Sequence, residues 1–147
     1  MFLAFGVVYY RMRLIIAGSR SITDRSVVED AIEESPFELS EVDVLLNGDA
    51  DGVDSIAKTV IGEVSEECED VDISVELYLP EEYVDEAPNE RVAPLFRNTA
   101  MAEDGDALLA IWDGSSSGTE DMISKAKREG LVVDVFRTDT SSLTDFM

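Results

Sequence analysis

Two periodicities alternate along this chain, and the alternation leaves few folds open. Residues 53–64 place Val53, Ile56, Ala57, Val60, Ile61 and Val64 on an i, i+3, i+4, i+7, i+8 ladder, the apolar face of an amphipathic helix. Just before it stands a short apolar run at 42–46 (VDVLL), closed by Asn47-Gly48. Residues 107–112 (ALLAIW) are apolar at successive positions, so both faces of that strand are apolar. Such a strand needs cover on both sides, as the strands of a parallel sheet receive from crossover helices.

The rest of the chain repeats the theme. Residues 13–17 (RLIIA), ending at Gly18, read as a first strand. Val27, Val28, Ala31 and Ile32 give one face of a first helix, capped by Thr23 or Asp24. Residues 73–79 alternate as a third strand, with Ile73, Val75, Leu77 and Leu79 against Ser74, Glu76 and Tyr78. An acidic polar loop covers 80–89, and a helix over 92–103 carries Pro94 in its first turn. A helix over 119–129, stopped by Gly130, lies between the 107–112 strand and a last strand at 131–136 (LVVDVF). Strands alternating with helices imply βαβ units, hence an α/β three-layer sandwich on a mainly parallel sheet. A length of 147 residues suits one such domain.

Residues 13–137 are expected to form that domain, with 138–147 as a loose polar tail and 1–12 as an extension outside the core. Met12 would serve as the natural start, the alternative being an added strand or interface segment at 1–11. The segment MFLAFGVVYY falls short of the ~20 apolar residues of a membrane helix. It also lacks the basic start and small-residue cleavage site of a signal peptide, so a cytoplasmic protein is expected.

Charge narrows the setting and the partners. The chain has 33 Asp plus Glu against 11 Lys plus Arg, a formal net charge of -22, and its lysines are Lys58, Lys125 and Lys127. Such self-repulsion destabilises a compact state in dilute buffer, whereas about 1 M salt shortens the screening length to ~3 Å. With an apolar content of 45%, disorder is a poor explanation, and a cell with molar internal salt is expected. Duplex nucleic acid is not an expected partner, because no basic cluster is present to neutralise phosphates. The sequence contains no histidine and Cys68 is its single cysteine. Imidazole catalysis, Ser-His-Asp triads, the usual transition-metal sites and an internal disulfide are therefore excluded. Self-association is left open.

In a parallel α/β sheet, ligands bind beyond the carboxyl ends of the strands, where strand order reverses. The loops at those ends are unusual. Gly18-Ser19-Arg20 follows the first strand and offers a tight turn, a hydroxyl and a planar cation suited to phosphate. Asn47-Gly48-Asp49-Ala50-Asp51-Gly52-Val53-Asp54 leads into the strongest helix. Its aspartates suit a ribose hydroxyl or a Mg²⁺ accompanying phosphate, although Asp51 or Asp54 also reads as a helix cap. Asp113-Gly114-Ser115-Ser116-Ser117-Gly118-Thr119 joins the 107–112 strand to a helix and reads as a backbone anion cradle, without the lysine of a Walker loop or the spacing of GxGxxG. Arg97-Asn98 lies early on the helix before that strand, where a cation can face the same crevice.

Taken together and in order, GSR, NGDADGVD, RN and WDGSSSGT resemble the YspA-type, cpYpsA-related branch of the SLOG superfamily, with its GSR, GGAxGxD-like, RN and GGxGT-like segments. The resemblance spans residues 13–136. It implies a Rossmann-like fold of strand order 3-2-1-4-5 that binds or senses a nucleotide or nucleotide-derived ligand. Carried over by position, it implies a site of Gly18, Ser19, Arg20, Gly48, Gly52, Asp54, Arg97, Asn98, Gly114, Gly118 and Thr119, with Ser115, Ser116 and Ser117 filling the last loop. The chain departs from the pattern at Asn47, at Asp49 and in those serines. The related LOG-type nucleoside 5′-monophosphate phosphoribohydrolases carry PGGxGTxxE and RKxxM. Arg97-Asn98-x-x-Met101 is similar to the second motif, but the acid of the first is replaced by Met122. Glycosidic hydrolysis is thus the alternative function, with Glu120, Asp54 and Asp113 as candidate acids. An interaction protein with a vestigial pocket is a further alternative, and the DprA-type DNA-binding relatives are disfavoured by charge.

Overall fold

The computed structural model describes residues 12–139, together with residues 2–4 and 7–9. Of the expected tail, residues 140–147 lie outside the described residues. Two short strands, β1 (Phe2–Ala4) and β2 (Val7–Tyr9), pair antiparallel as a separate two-stranded sheet.

Everything that positions the crevice belongs to the second sheet. In chain order it is built from β3 (Met12–Gly18), α1 (Arg25–Glu34), β4 (Val42–Asn47), α2 (Val53–Glu67), β5 (Ser74–Leu77), α3 (Ala93–Asp104), β6 (Ala107–Trp112), α4 (Ser117–Arg128) and β7 (Val132–Arg137). The five strands run in the order β5-β4-β3-β6-β7. Counted from β3, that is 3-2-1-4-5, and every pairing is parallel. This is the α/β sheet expected from the alternating periods, with a Rossmann-like order. The reversal lies between β3 and β6, where Gly18 is opposite Ile111.

Alternation along the central strands feeds two cores. Leu14, Ile16, Leu45, Leu109 and Ile111 pack with Val28, Ile32, Val53, Ala57 and Ile61 of α1 and α2. Ile15, Val44, Leu46, Leu108 and Ala110 pack with Met101, Ala102, Met122, Ile123 and Ala126 of α3 and α4. The sheet is therefore the middle of three layers. Ile15, Ile16, Leu45, Leu46, Leu108 and Ile111 have no exposed surface. Each such side chain is worth about 1.5–3 kcal/mol by burial.

Local signals explain the helix ends. Asp24 caps α1 by accepting from the Ser26 N–H at 2.9 Å. At α2 neither Asp51 nor Asp54 caps; the cap is Gly52, whose φ of 77° is open to glycine and strained for other residues. α4 starts at Ser117, two residues ahead of the expected Thr119, because Ser116 has already turned into cap geometry.

The third strand departs from the expected alternation. Only Ser74–Leu77 is extended and paired, Leu77 is exposed, and Tyr78 is buried. β5 is an edge strand with one neighbour, so sheet packing constrains it weakly. Two hydrogen bonds decide the matter. The Tyr78 N–H donates to the Asn47 carbonyl at 2.8 Å, and its hydroxyl donates to Asp104 of α3 at 2.8 Å. They draw the ring into the α3 side and leave Leu77 in solvent. Among the described residues no helix is long and apolar enough to cross a membrane.

Candidate functional site

The loops after β3 and β6 are stitched to each other before they meet any ligand. The Ser19 N–H donates to the Ile111 carbonyl at 3.1 Å, and the Ser19 hydroxyl accepts from the Asp113 N–H at 3.1 Å. Ser19 is wholly buried. Gly18 is glycine for packing reasons, since a Cβ there would run into the Ile111 carbonyl and the Val53 side chain.

Asp113 organises the β6–α4 loop. One carboxylate oxygen accepts from the Ser115 and Ser116 N–H groups at 2.9 and 2.8 Å, and the other from the Ser21 hydroxyl at 2.7 Å. The Ser115 amide, then the Ser21 hydroxyl and the Ser116 amide, hold this carboxyl well below the usual carboxylate range. It is a poor proton donor at neutral pH. The arrangement also corrects the expected cradle, because the amides of Ser115 and Ser116 are spent on Asp113. Gly114 (φ 86°) packs against the Arg137–Asp139 ion pair. The available donors lie one step further on. The first helical bond of α4 runs from the Glu120 N–H to the Ser116 carbonyl. Ser117, Gly118 and Thr119 therefore have no partner for their amides within the helix, and these point out of its positive end.

The β4–α2 loop is held by Asn47, fully buried, which donates to the Asp54 carbonyl at 2.8 Å and accepts from the Asp49 N–H at 2.8 Å. The departure from the family-like pattern at Asn47 is thus a loop tie. Asp49 forms an ion pair with Lys58 at 2.7 Å. Gly52 is pressed against the loop after β3, and a Cβ would meet the backbone of Arg20 and Ser19 at 2.7 Å.

Asp54 is only 5% exposed. Its Oδ2 accepts from the Ala50 N–H at 3.2 Å, while its Oδ1 is buried with no hydrogen-bond partner among the described residues. Burial raises this carboxyl to about 6, against the lowering effect of the Ala50 amide, Arg97 and Arg20. Arg97, at 7% exposed, reaches from α3 to the facing loops. Its Nη1 donates to the Gly48 carbonyl at 2.7 Å, and its Nε donates to the Asn98 Oδ1 at 3.0 Å. Burial lowers its proton affinity and the charge of Asp54 partly restores it. Asn98 in turn donates to the Gly118 carbonyl at 3.2 Å and to Asp121 at 3.1 Å, tying α3 to the start of α4.

These parts enclose a cleft of about 480 Å³ at the β3/β6 reversal. Of the residues singled out in the sequence, Gly18, Arg20, Asp54, Arg97, Asn98, Asp113, Ser116, Ser117, Gly118 and Thr119 line it. Ser19, Gly48, Gly52, Gly114 and Ser115 stand behind it as supports, through the contacts just described. Glu120 is exposed and outside the lining, because the first turn of α4 carries it away from Thr119 and Met122.

The sequence reading missed Ser21, Arg91 and the apolar wall of Pro94 and Leu95, which Met101 and Met122, singled out as motif positions, complete. Arg91 had a usable signal, being one of only 11 basic residues and six positions before Arg97. Asp54 and Asp113 are the two carboxylates of the lining, and among the described residues no three acidic or cysteine side chains converge as a metal-binding group. Comparison of the chain with protein-family models, with curated proteins and with solved structures found no match in any of the three.

Proposed function

We propose that the cleft binds a phosphate-bearing ligand of nucleotide type, and that the chain is a SLOG-like sensor or binding domain. One observation carries this reading. Arg20, Arg91 and Arg97 all line the cleft, and among the described residues none of them forms an ion pair. Elsewhere Arg13, Arg25, Lys58, Lys125 and Arg137 each hold a carboxylate, and among the described residues only Lys127 and Arg128, exposed at the far end of α4, also lack one. In a chain with three acids per base, three arginines left without one around a single cleft are poised for an anion from outside. The free amides of Ser117, Gly118 and Thr119 add the positive end of α4. The volume lies within the range of small-molecule pockets, about 300–1,000 Å³, and the Pro94, Leu95, Met101 and Met122 wall suits a flat apolar group such as a base.

The test is calorimetric titration with nucleoside monophosphates in molar KCl. Arg20→Ala, at an exposed position, and Arg97→Ala should each weaken binding about tenfold or more, since a charge-assisted bond is worth roughly 1.5–3 kcal/mol and 1.4 kcal/mol is one decade. Lys127→Ala, at an exposed position outside the lining, should not. Affinities equal to the parent's in both arginine variants would sink the reading.

A second reading, N-glycosidic hydrolysis, draws on Asp54. It is the one candidate acid that both lines the cleft and ionises near neutral pH, Asp113 being held ionised and Glu120 lying outside. Release of free base by the parent and its loss in Asp54→Asn would favour it.

A further inference from the structure

We infer that Asp54 selects the ligand by accepting a hydrogen bond from a sugar hydroxyl, so that the cleft takes a hydroxylated sugar phosphate ahead of a deoxygenated one. The inference rests on the phosphate reading above and adds a specificity-determining residue to it.

The geometry presents a buried acceptor in search of a donor. Asp54 lines the cleft, yet Oδ1 has no partner and Oδ2 has the Ala50 N–H alone. The two oxygens of a carboxylate are equivalent and each can accept more than one hydrogen bond, so the oxygen that faces the cleft can take a donor beside that of Ala50. An ionised carboxylate is acceptor-only. A phosphate dianion offers acceptors only and cannot satisfy it. The protein's own cations stop short. Arg97 is nearby, but Gly48 stands between, its missing Cβ being the space that Arg97 Nη1 and Asp54 Oδ2 border from either side. Among the described residues no ion pair joins Asp54 to an arginine. A donor carried by the ligand would satisfy Asp54.

Four donor chemistries are available, and the surroundings sort them: the N–H of a base lies too many bonds from the phosphate for an acceptor this close to Arg97. A metal ion, which one carboxylate and a phosphate could hold, would meet the positive charge of Arg20, Arg91 and Arg97 around the same cleft. An ammonium group would be repelled by Arg20, Arg91 and Arg97 around the same cleft. A neutral hydroxyl meets neither objection. Arg97 and Asp54 flank one glycine, so the hydroxyl sits a few bonds from the phosphate, as in a furanose 5-phosphate. A site built to bind a hydroxyl discriminates well against the analogue that lacks it, because the buried acceptor is then left unpaired.

The test uses three probes in molar KCl at about pH 8, where Asp54 and phosphate are both ionised: inorganic phosphate, and methyl riboside 5-phosphate with its 2,3-dideoxy counterpart, which differ only in the hydroxyls at issue. The parent should bind the hydroxylated probe about tenfold or more tighter than the dideoxy one. In Asp54→Ala that preference should fall to within about twofold, while inorganic phosphate binds several-fold tighter as a buried negative charge is removed. Asp54→Leu, which has no acceptor and keeps most of the side-chain volume should the alanine variant not fold, should lose the preference as well. Equal affinity of the parent for both sugar phosphates, or a preference that survives in the Asp54 variants, overturns the inference and leaves the phosphate reading standing. No binding of any probe, inorganic phosphate included, removes both.

Discussion

Folding opposes the ionisation of Asp54, and that opposition has a measurable pH signature. Burial lifts the carboxyl from its ordinary 3.8 to about 6. Between those values the native state holds the proton and the unfolded chain releases it. Native protein then binds more protons than unfolded protein, so this residue makes stability fall as pH rises through the window. The contribution is fully present below about pH 4 and gone above about pH 7. A shift of roughly two units at 1.36 kcal/mol per unit amounts to about 3 kcal/mol. Asp54→Asn removes the titration. The other acids ionise alike in both proteins, so the parent-minus-variant difference isolates the one carboxyl. Any fixed effect of the amide displaces the variant curve vertically without changing its slope. Urea denaturation of ligand-free protein at constant molar KCl, from about pH 4.5 to pH 8, should show the parent losing about 2 kcal/mol relative to the variant. Parallel curves across that range would mean that Asp54 is solvated in the folded state, and the burial argument would be wrong.

The glycines give a paired expectation. Gly52→Ala forces a side chain into a φ of 77° and against the Arg20 backbone, and should destabilise by about 2 kcal/mol or more by urea denaturation. Gly62→Ala, inside α2 with nothing within 4 Å of the added methyl, should stabilise by about 0.5–1 kcal/mol by the same measurement. With a net charge of -22, the melting temperature should rise steadily from dilute buffer to molar KCl; a flat or falling series would refute the role given to self-repulsion.

Local physics made much of the fold legible. The apolar ladder of α2 and the continuous run of β6 are one-dimensional signals, since a helix or a two-faced strand announces its environment by spacing alone. Asp54 carried such a signal as well: it lies three residues before Ala57 and seven before Ile61, on the buried stripe of α2. The β5 reading went astray at Tyr78 because an edge strand obeys its neighbours more than its own alternation. Strand order was an expectation from family resemblance, and no local period contains it.

From its sequence alone this chain was already an acidic α/β domain, without imidazole chemistry or a disulfide, with glycine-rich loops at the strand ends. Composition and spacing are properties of residues near one another, so they survive without coordinates. Only the tertiary structure decided what those loops do with their polar groups. It set Ser21 on Asp113 across 92 positions and took the Ser115 and Ser116 amides out of use. It brought Arg91 beside Arg20 and Arg97, sent Glu120 outward, and left one oxygen of Asp54 without a partner. Each of these depends on which distant groups compete for the same donor or acceptor, and that competition exists only once the chain has closed on itself.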